Sequence, residues 1–171
     1  MHMKKLITAV LCTIMVFISF AQDKKPVNET GKQLLLAPAD LVITDISFVS
    51  GSKNAMKGKY SITVSITITN QGEQPTGDFK LVASQRRTGL HGEEWAIFGA
   101  PLTVTSISGT TSVAPNFITR NFVFACNLSD LGRGTYTVPF KVTADFYGAV
   151  REQNEDNNDS ADIEIELVLG S

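Results

Sequence analysis

The sequence predicts an all-β protein, built as an antiparallel β-sandwich of about seven strands. Two observations carry this prediction. Apolar and polar residues alternate with a period of two in one segment after another, which is the pattern of half-buried strands. Helix signals are absent after residue 21, so no helical crossover would join the strands, and seven such strands favour two packed sheets.

The segment 1–21 is predicted to be a secretory signal peptide. Lys4 and Lys5 precede an apolar run from Leu6 to Ala21. This run has about 16 residues, short of the roughly 20 that a helix needs to span a bilayer. Small residues precede the expected cleavage point after Ala21. Cleavage would leave no membrane span, and retention of the run as an anchor is the alternative.

The chain that remains after cleavage has about 150 residues, enough for one domain with a sizeable core. Residues 22–37 lack periodicity and are predicted to be a flexible linker to a single domain at 38–171. Cleavage lowers the number of Lys and Arg residues from 15 to 13 against 17 Asp and Glu residues, a net charge of about −4. This mildly acidic balance argues against nucleic acid as a partner.

Cys126 is the one cysteine outside the signal peptide, so an internal disulfide is excluded. It alternates in step with Phe122 and Phe124, which predicts a buried small hydrophobe. A nucleophilic cysteine would need a histidine and an orienting acid beside it. Nothing in the sequence pairs Cys126 with His91, the one histidine outside the signal peptide.

The clearest predicted strand is Tyr60–Thr69, in which large apolar residues face one side while Ser and Thr face the other. Asn70 and Gly72 then end the strand with turn chemistry, because Asn and Gly tolerate a positive φ. The other predicted strands are 39–49, 79–85, 95–107 with a break at Gly99–Pro101, 116–127, 135–146 and 162–169.

The last two predicted strands supply facing halves of one core. Their apolar faces are Tyr136, Val138, Phe140, Val142 and Ala144 on one strand, and Ile163, Ile165, Leu167 and Leu169 on the other. Pro139 conflicts with a central position because it has no N–H to donate. Either one edge of its strand is unpaired there, or a bulge lies at that point.

A run rich in Asn, Asp and Glu joins these two strands and offers the oxygen donors that Ca²⁺ prefers. The candidate calcium ligands are Asp145, Glu152, Asn154, Glu155, Asp156 and Asn158. The run does not match an EF-hand, because the sixth and twelfth positions from Asp156 hold Ala161 and Leu167. The alternative is a loop without metal, in which Glu152 and Asn158 bond backbone groups that would otherwise be unsatisfied. No other cofactor is indicated.

Trp95 is predicted to pack in the core, since large aromatic side chains mostly bury their area in small folds. The alternative places it at the surface. In that case the segment 86–95, with Arg86, Arg87, His91 and Trp95, is the candidate partner-contact region.

Several motifs occur in a fixed order along the chain: Pro38-Ala-Asp-Leu-Val-Ile-Thr-Asp-Ile-Ser47, Ile62-Thr-Val-Ser-Ile-Thr-Ile-Thr-Asn-Gln-Gly72, Gly134-Thr-Tyr136, Ala144-Asp145 and Val150-Arg-Glu-Gln-Asn-Glu-Asp-Asn-Asn158. Together they resemble the cell-adhesion-related domain of bacteria called CARDB, over about residues 38–169. The resemblance implies an immunoglobulin-like sandwich with an extracellular binding, adhesive or spacer role and no established chemistry. The chain departs from the family in its longer middle, residues 86–115.

These observations predict an exported, non-catalytic adhesion or interaction module that binds an extracellular or envelope protein. Its location would be the periplasm, the cell surface or the medium. Two alternatives are a carbohydrate-binding module, which would need exposed aromatic residues on one face, and a calcium-stabilised spacer. An enzyme is not predicted, because the sequence has no Ser/His/Asp set, no metal-ligand spacing and no phosphate-binding loop.

Overall fold

The computed structural model describes residues 35–89, 92–131 and 133–170, which form eight strands and two short 3₁₀ helices. The strands are β1 (Leu41–Asn54), β2 (Lys59–Asn70), β3 (Phe79–Gly89), β4 (Gly92–Ile97), β5 (Leu102–Val104), β6 (Phe117–Asn127), β7 (Thr135–Thr143) and β8 (Ile163–Val168). The 3₁₀ helices are Ala55–Lys57 and Leu128–Asp130. The predicted signal peptide and most of the predicted linker lie outside the described residues.

The strands form two antiparallel sheets, which confirms the predicted β-sandwich. One sheet has the order β1-β2-β6, and the other has the order β4-β3-β7-β8 with β5 also paired to β3. Strand β2 lies in the centre of its sheet, and its residues alternate between buried and half-buried as predicted. The Ser and Thr side chains of β2 form the outer face, because successive side chains of a strand point to opposite sides.

The segment predicted as one broken strand at 95–107 is two strands, which is why the count is eight. Strand β4 pairs with the C-terminal half of β3, and β5 pairs with its N-terminal end. The break falls at Gly99–Pro101 as predicted. Gly99 has a φ of 82°, and a Cβ at this position would lie 2.3 Å from the carbonyl oxygen of Ala125 in the facing sheet.

The core lies between the two sheets and includes the apolar faces predicted for β2, β7 and β8. The ring of Phe140 on β7 meets the rings of Phe98 and Phe124 edge to face, with centroids 5.8 and 6.3 Å away. The buried hydroxyl of Tyr60 on β2 accepts a hydrogen bond from the Val168 N–H of β8 at 3.3 Å. Aromatic packing and this hydrogen bond therefore tie one sheet to the other.

Cys126 is buried at the end of β6, as the alternation predicted. Burial, together with the nearby Asp130 carboxylate, raises the pKa of its thiol to about 11. A protonated thiol is a poor nucleophile. The structure thus agrees with a packing role for Cys126.

Asn70 and Gly72 end β2 for a reason different from the predicted one. Neither residue has a positive φ. The fully buried Asn70 side chain accepts hydrogen bonds from the N–H groups of Asp40 and Gly72, and donates to the carbonyls of Gln74 and Ser108. A Cβ on Gly72 would lie 1.9 Å from the carbonyl oxygen of Pro38, so only glycine permits this close approach.

At Pro139, strand β7 has a neighbour on one side only, which is β8. Strand β7 pairs with β8 over Thr135–Phe140, and with β3 over Phe140–Thr143. The missing N–H of Pro139 therefore breaks no ladder with β3. This confirms the first of the two predicted explanations, an unpaired edge at this point.

Candidate interaction site

Trp95 lies on the outer face of the β4-β3-β7-β8 sheet, so the prediction of core packing was wrong. Its side chain is 36% exposed. Phe98 is the first residue after Trp95 whose side chain enters the core, and it is 1% exposed. The short strand β4 has polar or exposed residues on both faces, and it therefore contributes little to the core.

Two cations hold the indole ring of Trp95 on this face. The guanidinium carbon of Arg86, its cross-strand neighbour, lies 5.1 Å from the ring centroid, and the Lys141 Nζ atom lies 5.0 Å from it. Both distances are within the range of cation–π attraction. Arg86 also pairs with carboxylates of Asp162 at 3.3 Å and Glu93 at 3.7 Å. The ring is thus fixed in place while part of its surface stays open to solvent.

The other predicted contact residues do not join Trp95. Arg87 follows Arg86 in the strand and points to the opposite side, where it pairs with Glu94 at 3.2 Å. His91 lies outside the described residues. The predicted set therefore divides into an outer face with Arg86 and Trp95, and an inner side with Arg87.

A cleft that the sequence pattern did not reveal opens beside Arg87. The ladder between β3 and β7 ends at the pair Gln85 and Phe140, and beyond it β3 pairs with β4 while β7 pairs with β8. The space between the diverging strands is about 580 Å³ in volume. We call it the β3–β7 cleft, and its lining includes Gln85, Arg86, Arg87, Thr88, Glu93, Asp130, Arg133, Tyr136, Thr137, Val138 and Pro139. Pro139 was the one sequence signal for it.

The acidic loop between β7 and β8 holds the first strand in place through Glu152. This side chain is 8% exposed. Its Oε2 atom accepts the Leu41 N–H at 2.6 Å, and its Oε1 atom accepts a hydrogen bond from Asn158 Nδ2 at 3.2 Å. The Asn158 carbonyl in turn accepts the Ala144 N–H. These contacts confirm the alternative for Glu152, which bonds a backbone N–H, whereas the Asn158 side chain bonds Glu152 and no backbone group of the described residues.

Three other candidate ligands also bond the backbone of the loop. Both carboxylate oxygens of the buried Asp145 accept N–H groups, from Ala149 and Val150, at 2.9 and 2.7 Å. Glu155 accepts the Glu152 N–H, and Asn154 accepts the Asp156 N–H. Asp145 has a φ of 43°, a conformation that Asp adopts more readily than most residues.

Calcium binding in this loop stays a prediction. A cavity of about 430 Å³ is lined by Asp145, Glu155, Asp156, Asn158 and Asp159, whereas Glu152 and Asn154 do not line it. Over the described ranges, no group of three or more His, Cys, Asp and Glu side chains is arranged to hold a metal ion. Burial raises the pKa of Glu152 to about 7, which disfavours the charged form that a cation would need.

The ordered motifs and the sandwich agree with a family comparison, in which the CARDB family model matches residues 38–162. The chain belongs to the CARDB family. CARDB is an adhesion-related domain family of an extracellular, non-catalytic type in bacteria. The immunoglobulin-like sandwich implied by the sequence is the fold of this member.

Two solved structures similar to this chain are of a CARDB domain from Pyrococcus furiosus. A crystal structure of that domain in complex with di-metal ions has 14% sequence identity and a TM-score of 0.47, covering 80% of this chain and 98% of that chain. A solution NMR structure of the same domain has 16% identity and a TM-score of 0.43, covering 78% and 98%. No curated protein matches the sequence.

The described segments contain no helix that is both long enough and apolar enough to cross a membrane.

Proposed function

We propose that this CARDB domain is an exported, non-catalytic interaction module that binds a protein at the bacterial cell envelope or surface. The family type and the signal peptide predicted from residues 1–21 support the export and the location. The observation that carries the proposal is the exposed Trp95 ring held between Arg86 and Lys141. These three side chains form the proposed contact face.

The physical argument is that this face combines features of binding hot spots. Trp and Arg are enriched at the centres of protein interfaces, where they contribute most of the binding energy. A side chain that is already fixed loses less conformational entropy on binding. The cation–π contacts and the ion pairs of Arg86 supply this fixation before a partner arrives.

The test is capture of a partner from an envelope extract by the tagged chain and by two variants. Trp95→Ala is expected to lose the captured protein, since it removes the ring at the centre of the contact face. Phe117→Ala is the matched control, because Phe117 is 50% exposed on β6 of the other sheet. It is expected to retain the partner.

Melting curves must accompany the capture, because a variant that unfolds would also lose the partner. Both side chains are exposed, so both variants are expected to melt within a few degrees of the natural chain. A folded Trp95→Ala variant that captures the same protein as the natural chain would contradict the proposed contact face.

Glycan binding is a second candidate, favoured by the exposed indole ring. Carbohydrate-binding faces usually need several exposed aromatic residues together. The other large exposed aromatics of the described residues lie elsewhere, Phe48 on β1, Phe117 on β6, and Phe146 and Tyr147 after β7. A glycan array probed with the natural chain and with Trp95→Ala distinguishes the two candidates, and protein binding predicts no Trp95-dependent glycan signal.

A further inference from the structure

We propose that the β3–β7 cleft binds an extended, acidic segment of a partner protein, which inserts as an additional strand between β3 and β7. This inference rests on the proposed function, because the ligand is part of a protein. The cleft adjoins the contact face, because Arg86 belongs to both, but Trp95 and Lys141 do not line the cleft.

The first supporting observation is the interrupted ladder. Continued past Gln85 and Phe140, the register would pair Arg86 with Pro139, Arg87 with Val138 and Thr88 with Thr137. These pairs are not formed, and each strand keeps its other neighbour instead. Two strand edges therefore face one another across the cleft, and a peptide strand between them could pair with both.

The second observation concerns Gln85, which lines this cleft and also a second cavity of about 330 Å³. Gln85 is 7% exposed, and its Oε1 atom has no hydrogen-bond partner in the part of the chain that the structure describes. A buried polar atom without a partner costs about 1–3 kcal/mol. A donor of the bound segment that reaches this atom would satisfy it. Gln85 is also where the two strands separate.

The third observation is the charge of the lining. Arg133 is exposed and makes no ion pair with any described residue. The lining has three Arg side chains, Arg86, Arg87 and Arg133, against the carboxylates of Glu93 and Asp130, so its net charge is +1. Arg86 and Arg87 already pair with Glu93 and Glu94, so a carboxylate of the ligand would be attracted mainly to Arg133. This selects an acidic segment.

The size of the cleft fits a short segment. A volume of about 580 Å³ lies within the roughly 300–1,000 Å³ of typical ligand sites. The open stretch of β3, Arg86–Thr88, spans about 10 Å in an extended chain. An inserted strand of about three or four residues would fill this length. Pro139 cannot donate to it, so β7 would pair through Thr135 and Thr137.

The test uses a labelled hexapeptide of alternating Asp and Val, capped at both ends, and measures its binding to the purified chain by fluorescence anisotropy. The matched probe has N-methyl groups on alternate residues, which keep every side chain but block strand pairing. We expect the methylated peptide to bind at least tenfold more weakly. A peptide of alternating Lys and Val is expected to show no binding.

Variants locate the site. Arg133→Gln is expected to weaken binding of the Asp-Val peptide at least threefold at low salt, while Arg120→Gln on the other sheet is expected to leave it unchanged. Amide hydrogen exchange at Arg86–Thr88 and at Thr135 and Thr137 is expected to slow when the peptide is present. Trp95→Ala is expected to keep the peptide affinity, so the two proposals fail separately.

Three results would overturn strand insertion. One is no binding of the Asp-Val peptide at millimolar concentration. Another is equal binding of the methylated peptide, which would indicate attraction between charges alone. The third is an acidic oligosaccharide that binds more tightly than the peptide and loses affinity in Arg133→Gln, which would make the cleft a glycan site.

Discussion

Asn70 shows at the residue scale how one buried amide organises the end of a strand. Its side chain bonds the N–H groups of Asp40, just before β1, and of Gly72. It also bonds the carbonyls of Gln74 and Ser108, which lie in two different loops. The sequence pattern correctly predicted that β2 ends here. It could not reveal the reason, because the partners Asp40 and Ser108 are distant along the chain.

The prediction for Asn70→Ala is a large loss of stability. The substitution removes these hydrogen bonds and leaves one buried and three partly buried backbone groups unsatisfied, at up to about 1–3 kcal/mol for each. We expect the free energy of unfolding in urea to fall by at least about 3 kcal/mol. Asn121→Ala, on the exposed face of β6, is the control and should change it by less than about 0.5 kcal/mol. Similar values for the two variants would contradict the role of Asn70.

Glu152 is a second buried polar residue, and its titration makes stability depend on pH. Burial raises its pKa from 4.5 to about 7, despite the hydrogen bonds from Leu41 and Asn158. Between these two pH values the folded protein binds a proton that the unfolded chain has released. Stability from this group is therefore complete below pH 4.5 and is lost as the pH rises to about 7.

We predict that Glu152→Gln removes this part of the pH dependence. At about 1.4 kcal/mol for one pKa unit, the loss in the natural chain is about 3 kcal/mol at most. A glutamine Nε2 atom can donate to Asn158 Oδ1, which has no partner, if the Asn158 amide turns over. Melting temperatures at pH 5 and pH 8 test this, with Glu164→Gln on the exposed face of β8 as control. An unchanged pH dependence in Glu152→Gln would contradict the assignment.

At the scale of elements, the strands and their faces followed from the sequence where alternation runs long. Strand β2 has twelve residues, and its inward face was predicted correctly. Strand β4 has six residues, begins with Gly-Glu-Glu and buries almost nothing, so alternation could not show which way Trp95 points. The β3–β7 cleft depends on where one ladder stops, and Pro139 marks this position without revealing the opening.

The break between β4 and β5 brings Gly99 against β6, and alanine substitution at Gly99 tests how much this close approach matters. Gly99 and Gly77 both have a positive φ, of 82° and 73°, but a Cβ on Gly77 would meet nothing within 4 Å. Both alanine variants should lose about 1–2 kcal/mol to backbone strain. Gly99→Ala should lose about 1–3 kcal/mol more from the clash with Ala125. Thermal unfolding compares them, and equal losses would show that the close approach to β6 is unimportant.

At the scale of the whole molecule, the acidic loop joins the start of the domain to its end. The Gln153 N–H donates to the Ala39 carbonyl, and Asn157 Nδ2 donates to the Asp40 side chain. Glu152 is 111 residues from its partner Leu41. The loop was recognisable from its composition, but its contacts with β1 depend on how the strands pack.

We predict that calcium leaves the melting temperature unchanged, because the buried carboxylates of the loop already accept hydrogen bonds from the chain. A site held at about 100 times its dissociation constant would add roughly 2.7 kcal/mol, a rise of several degrees for a domain of this size. Melting in excess calcium and in chelator measures the difference. A rise that Asp156→Asn abolishes would instead support the calcium-stabilised spacer.

The hydrogen bond between Leu41 and Glu152, which fixes the start of β1, also affects how the domain would respond to mechanical tension. Strand β1 begins at Leu41, which is bonded to the acidic loop. At the other end of β1, Lys53 Nζ donates a hydrogen bond to the Leu169 carbonyl, after β8. The polypeptide thus enters the sandwich at one end and leaves it at the other. A pull between these points acts along β1, so the hydrogen bonds between β1 and β2 are sheared together instead of being unzipped one by one. A domain arranged in this way is expected to resist stretching along its length.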